Sequence, residues 1–125
     1  MKMKVLYVED HLGNIELMKR LMAERPQVDL LIAETGADGL ALANQKRPGL
    51  LFLDWNLPDL TAEQFVVELK SLLENDAPPV VVLTADVSRE TQGRMVDMDI
   101  EEFVSKPYDL DSMLDLIDSY LEKEQ

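Results

Sequence analysis

Cysteine is absent from these 125 residues, and His11 is the only histidine. Without thiols there can be no disulfide framework and no thiolate metal centre. A cysteine-free chain also fits a cytoplasmic protein, which is the location expected. No apolar run approaches the roughly 18 residues of a membrane helix. The opening Met1-Lys2-Met3-Lys4 leads straight into a strand-like run. It has no apolar h-region and no small-residue cleavage site, so no signal peptide is expected. Positive charge is scarce, with 12 Lys and Arg against 25 Asp and Glu and a formal net charge of -13. Such a chain repels nucleic acid and anionic membranes, so direct binding to either is not expected. Internal repeats and low-complexity segments are missing too, and a single domain over 1–125 is expected.

What is present is an alternation of short apolar runs and helix-period segments. Lys4 to Val8, Val28 to Ala33, Leu50 to Leu53, Val80 to Leu83 and Glu102 to Ser105 read as strands. A first helix is expected from Asn14, a good N-cap, with Ile15, Met18, Leu21 and Met22 on one face and Pro26 helping to end it. A second spans Ala37 to Gln45, with Ala37, Leu40, Ala41 and Ala43 inward. Thr61 and Gln64 form a capping box for a third, with Phe65, Leu69, Leu72 and Leu73 as its stripe. The fourth starts near Ser88, is interrupted by Gly93, and offers Met95, Val96 and Met98 as its large apolar residues, Met95 and Met98 being open to a partner surface. The fifth starts near Asp109, with Leu110, Met113, Leu114, Ile117 and Leu121 on one side. Five strand–helix units make a doubly wound α/β sandwich with right-handed crossovers and the third strand central.

In open parallel sheets the ligand site lies outside the carboxyl ends of the strands. The apolar runs here stop at Glu9-Asp10, Asp54, Thr84 and Lys106. Three converging carboxylates repel one another and raise at least one pKa unless a cation sits among them. Ligands that are all oxygen favour Mg²⁺, or Mn²⁺, over zinc. A hydroxyl at Thr84 and an ammonium at Lys106 suit a phosphoryl group carried on a carboxylate. Transfer of such a group depends on positioning and charge neutralisation.

The ordered set Val8-Glu9-Asp10, Leu53-Asp54-Trp55-Asn56-Leu57-Pro58, Thr84-Ala85 and Lys106-Pro107 resembles the receiver domain of two-component response regulators. The successive steps of 44, 30 and 22 residues from Asp10 to Asp54, Thr84 and Lys106 fit that family, and the likeness runs over about residues 3 to 122. The resemblance implies a flavodoxin-like (βα)5 three-layer sandwich with a parallel sheet of order 2-1-3-4-5. It implies Asp54 as phosphoacceptor, Glu9 and Asp10 as an acidic pair that holds Mg²⁺ directly or through water, and Asp54 and the Asn56 backbone carbonyl as further metal-site residues. Lys106 and Thr84 would contact the phosphoryl group, with Thr84 and Phe103 as the switch pair. Ala85 would keep the entrance beside that group small, and the Lys106–Pro107 bond would be cis. The implied partners are a sensor histidine kinase or histidine phosphotransfer protein, and a downstream protein on the helix 4–strand 5–helix 5 face. The implied role is a phosphoacceptor switch rather than an enzyme.

Two positions depart from the family pattern: Ala62 and Asp99 stand where glycine is common, and Asp99 can tolerate a left-handed backbone. His11 reads as a plain loop residue, and Trp55 as a partly exposed packing residue near Asp54. A phosphatase with an Asp nucleophile would want a second Asp at the place of Asn56. A flavin or dinucleotide domain would want a phosphate-cradling loop where Glu9-Asp10-His11-Leu12-Gly13 stands. A phosphorylation-independent scaffold has no need of an intact Glu9, Asp10, Asp54, Thr84 and Lys106. No output domain is expected within the chain, so a stand-alone regulator, a receiver from a larger regulator and the receiver of a hybrid sensor kinase all remain open.

Overall fold

The computed structural model describes residues 2–123; Met1, Glu124 and Gln125 of the expected 1–125 domain lie outside the described residues. Strands β1 (Met3–Val8), β2 (Val28–Ala33), β3 (Leu50–Asp54), β4 (Val80–Thr84) and β5 (Glu102–Ser105) form one parallel sheet in the order β2-β1-β3-β4-β5. Helices α1 (Leu12–Met22), α2 (Gly36–Lys46), α3 (Ala62–Leu73), α4 (Arg89–Val96) and α5 (Leu110–Lys123) connect and follow the strands. The expected fold and sheet order are therefore both present.

Each strand sends alternate residues to opposite faces, which builds two cores. Val5, Tyr7, Leu50, Phe52, Val81 and Leu83 pack with Met18 and Leu21 of α1 and Met113 and Ile117 of α5. Leu6, Val8, Leu51, Leu53, Val80 and Val82 pack with Leu40 of α2, Phe65 and Leu69 of α3 and Met95 of α4. β3 and β4 are buried along their whole lengths, so their sequences run apolar without alternation. Register pairs Val8 with Leu53, Asp54 with Leu83 and Thr84 with Ser105, so the polar stops of neighbouring strands fall at one end of the sheet.

Several expectations about helix faces need correction. α1 begins at Leu12, and His11 rather than Asn14 is its N-cap; His11 Nδ1 accepts from the Asn14 N–H at 3.3 Å. An imidazole acceptor does there what an asparagine oxygen would, and the Asn14 side chain is freed for another contact. On α2, Ala37 and Ala41 face solvent, while Gly36, Gly39, Leu40 and Ala43 face inward. The helix lies so close to β1 that a Cβ on Gly39 would come within 2.8 Å of Val8 Cγ2 and 3.1 Å of Phe65 Cε2. Leu72 and Leu110 are exposed, and Val66 and Tyr120 take the buried places on α3 and α5. Met95 belongs to the core and not to a partner surface. Trp55 is buried rather than partly exposed, with the Arg94 guanidinium 4.9 Å from its ring centre. Asp99 does not use the left-handed region, which among the described residues only Arg47 and Glu74 enter; instead its carboxylate pairs with Lys70 at 2.8 Å. The capping box of Thr61 and Gln64 and the Ser88 start of α4 are as expected.

Two of the helical glycines, Gly93 and Gly39, give opposite expectations. A methyl group on Gly93 would meet nothing within 4 Å, so Gly93→Ala should stabilise by about 0.5–1 kcal/mol through helix propensity. Gly39→Ala gains the same propensity but overpacks against the stiff Val8, for a net loss on the order of 1 kcal/mol. Urea unfolding of the two variants checks the difference in sign.

Candidate functional site

Each candidate side chain sits where a strand ends. Glu9 follows β1, Asp54 closes β3, Thr84 closes β4 and Lys106 follows β5. Glu9 is completely buried, Asp54 is 6% exposed and Asp10 faces solvent. One oxygen from each of Glu9, Asp10 and Asp54 lies within 4.8 Å of the others. The Lys106 ammonium bridges two of them, donating to Asp54 Oδ1 at 2.9 Å and to Glu9 Oε1 at 3.1 Å.

Glu9 has two further donors. Tyr7 Oη donates to Oε1 at 2.9 Å and Asn14 Nδ2 to the same oxygen at 2.7 Å. Glu9 Oε2 is buried and has no hydrogen-bond partner among the described residues. Sequence reasoning missed both donors. Tyr7 was legible in principle, because it stands two residues before Glu9 in an extended run and so shares its face. Asn14 reads by type as a helix cap, which hides its contact with Glu9.

These contacts decide how the site holds protons. Burial pushes the Asp54 carboxyl up, the neighbouring Glu9 adds to the effect, and the Lys106 ammonium only partly offsets it, leaving a pKa of about 7. Burial also pushes Glu9 up, but hydrogen bonds with Asp54, Lys106 and Asn14 outweigh it and keep Glu9 below its ordinary value. With three donors on Glu9 and one on Asp54, the anion belongs on Glu9 and a shared proton on Asp54. Burial works against the Lys106 charge, and its bonds to Asp54 and Glu9 outweigh that, so it remains an ammonium. Burial and the Glu9 charge raise the Tyr7 phenol far above its usual range, so it acts as a donor. An all-oxygen donor set with one buried, unpartnered carboxylate oxygen fits a hard divalent cation.

The remaining expected residues lie around this centre. Thr84 is buried, and its hydroxyl turns into the loop before α4, accepting from the Asp86 N–H at 2.9 Å. Asp86 in turn accepts from the Ser88 N–H at 2.9 Å and the Thr91 hydroxyl at 2.6 Å. Phe103, on edge strand β5, is 43% exposed and stands outside the cluster. Asn56 and Ala85 are exposed in the loops after β3 and β4, and the Lys106–Pro107 bond is cis. Asp59 was not anticipated; it accepts from the Gly36 and Ala37 N–H groups at 2.7 and 2.9 Å and ties the loop after Asp54 to the start of α2.

The model of the response regulator receiver domain family matches residues 5–118. This chain belongs to that family. It is 29% identical over 121 residues to the polar-differentiation response regulator DivK of Brucella anthropi, covering 97% of this chain and 98% of the relative. Among solved structures, a signal receiver domain from Vibrio parahaemolyticus superposes with a TM-score of 0.87 at 25% identity, covering 98% of this chain and 92% of that one. The receiver domain of a sensor histidine kinase from Pseudomonas aeruginosa, solved with a magnesium ion coordinated in its active-site cleft, gives 0.86 at 16% identity over 98% and 99% of the two chains. The last likeness is one of fold. As a receiver domain, the chain is of the response regulator type used in two-component signalling. No helix among the described residues is long and apolar enough to cross a membrane.

The proton on Asp54 gives a test. Carbon-13 NMR of the metal-free protein should find its carboxyl titrating near about 7, well above free aspartate. The folded state then binds a proton that the unfolded chain releases. This group's contribution to stability is therefore present below the ordinary carboxylate range and lost as pH rises toward about 7. Lys106→Met removes the cation that lowers the value, so the midpoint should rise further. A wild-type midpoint near that of free aspartate would overturn the charge assignment.

Proposed function

We propose that this receiver domain is a phosphorylation-controlled switch in which Asp54 accepts a phosphoryl group from the phosphohistidine of a sensor histidine kinase or histidine phosphotransfer protein. The observation that carries the reading is the convergence of Glu9, Asp10, Asp54 and Lys106 at one end of the sheet. The reaction would be cytoplasmic and Mg²⁺-dependent, with Glu9, Asp10, Asp54 and the Asn56 backbone carbonyl holding the ion. Bound there, Mg²⁺ supplies positive charge to the carboxylates and to the incoming phosphoryl oxygens.

The chain's own groups would act as follows. Asp54 in its carboxylate form attacks phosphorus with the oxygen not held by Lys106. An O–P bond forms as the N–P bond to the donor imidazole breaks; the imidazole keeps the electron pair and takes up a proton. Lys106, already 2.9 Å from Asp54 Oδ1, pairs with a phosphoryl oxygen and offsets its charge. Asp54 is acceptor and not a turnover catalyst, because the phosphoryl group stays on it until hydrolysis. The exposed Leu12 and Leu17 of α1, with Leu17 lining a cleft of about 240 Å³ beside Lys106 and Pro107, offer apolar surface to a donor protein.

The output would arise from the new charge. Thr84 leaves its bond with the Asp86 N–H and donates to a phosphoryl oxygen. Phe103, exposed at rest, turns toward the space vacated below α4. The α4–β5–α5 face, where Val87, Val96 and Phe103 are exposed, then meets the downstream protein in a changed form.

Incubation with acetyl phosphate and Mg²⁺ should add one labile phosphoryl group, seen by mass spectrometry and lost in Asp54→Asn. A stable adduct on another residue would overturn the acceptor assignment. Thr84→Ala should still be labelled but pass on less of the change. In NMR spectra with a beryllofluoride mimic, its shifts at Phe103 and residues 86–98 should fall to less than half those of wild type. Full wild-type shifts in that variant would overturn the relay while leaving the acceptor assignment intact.

A further inference from the structure

Glu9 stands apart from the other two acidic residues. It is completely buried, and its two oxygens have opposite surroundings. Oε1 receives three donors, from Tyr7 at 2.9 Å, Asn14 at 2.7 Å and Lys106 at 3.1 Å. With Asp54 also ionised, as a bound cation requires, Oε2 receives none among the described residues. A carboxylate attached by Oε1 alone to one flexible lysine could rotate and present either oxygen. Two neutral donors from fixed elements prevent that rotation. Tyr7 is an interior residue of β1, fully buried between core side chains, and Asn14 stands in the first turns of α1.

We propose that Tyr7 and Asn14 are positioning residues for metal binding, which lock the Glu9 carboxylate by Oε1 so that Oε2 is held free as the ligand atom for a divalent cation. This rests on the reading of Glu9, Asp10 and Asp54 as the Mg²⁺ site. Lys106 is not equivalent to them, because its ammonium also serves Asp54 and moves to the phosphoryl group. When Lys106 leaves, the Tyr7 and Asn14 donors still hold Oε1, and Glu9 keeps its orientation through the reaction. An unpartnered buried carboxylate oxygen is costly, and such a cost persists where a ligand relieves it. Groups that orient a ligand from behind it typically change metal affinity about 10–100-fold when removed.

The test is a mutant cycle read by titration calorimetry with MgCl₂, without any phosphodonor. Tyr7→Phe and Asn14→Ala should each weaken Mg²⁺ binding about tenfold. In the Glu9→Gln background, either change should alter the remaining affinity by less than about twofold, because the group they act through is no longer a carboxylate. Equal weakening in both backgrounds would mean a general structural effect and overturn the proposal. So would unchanged affinity in Tyr7→Phe and Asn14→Ala while Asp10→Asn abolishes binding. Should Asp10→Asn and Asp54→Asn also leave the calorimetric signal unchanged, the Mg²⁺ site itself would be wrong, and this proposal with it. If Tyr7→Phe unfolds, Asn14→Ala on the helix surface carries the same cycle alone.

Discussion

Among the described residues, Lys106 carries the only ammonium that reaches the two buried carboxylates, and the carboxyl end of the sheet is built around that contact. Two like charges about 4 Å apart repel by about 4 kcal/mol even at an effective dielectric near 20. Glu9 and Asp54 come from the neighbouring strands β1 and β3, so the sheet itself forces them together. The relief comes from just past the edge strand β5, two positions from β3 and three from β1, through a four-carbon stem that can reach in and also let go. A fixed cation or an apolar plug would stabilise the same end of the sheet more simply. A lysine and a shared proton leave it able to admit another cation or an anion in their place.

The unequal treatment of the two carboxylates follows from where each is anchored. Glu9 lies one residue past β1, between the phenol of Tyr7 and the amide of Asn14, and is held as an anion. Asp54 has a single donor among the described residues and is slightly exposed. Environment therefore assigns different protonation to two acids that are chemically almost the same. The carboxyl that is harder to ionise is also the one accessible from outside.

The ends of the strands were legible because a buried parallel strand must be apolar, so its first polar residue marks the rim of the sheet. Glu9, Asp54 and Thr84 are found by that rule without any knowledge of the contacts they make, whereas Lys106 follows the largely exposed strand β5 and is marked by the family pattern instead. The capping box at Thr61 was legible for the same local reason. Helix faces were less so. Whether Gly39 or Ala41 points inward depends on how closely α2 approaches Val8, which no 3.6-residue period encodes. The burial of Trp55 depends on α4, whose Arg94 lies over its ring, that of Met95 on how α4 docks against the sheet, and the exposure of Leu72 on where α3 leaves the core. Side-chain partners were least legible: Asn14 fits a helix start by type, and only the path of the chain from β1 turns it to Glu9.

The way α4 is attached bears on what a charge at Asp54 could do. Only Thr91 and Met95 of this helix are buried, so little apolar area holds it to the sheet. Its other ties are polar. At its start Asp86 accepts from Thr91 and Ser88 while its own N–H serves Thr84. Farther along, Arg94 pairs with Glu63 of α3 and lies over the Trp55 ring, next to Asp54 in sequence. Exposed ion pairs contribute little, being screened by water and salt. A hydrogen bond to a charged group contributes about 1.5–3 kcal/mol. Competition between the proposed Thr84–phosphoryl bond and the contacts around Asp86 would therefore be even enough to be shifted by one phosphoryl group. Competition with the Phe65 or Ile117 core packing would not be. Among the described helices, α4 is the one whose placement a phosphoryl group at the end of the sheet would be strong enough to change.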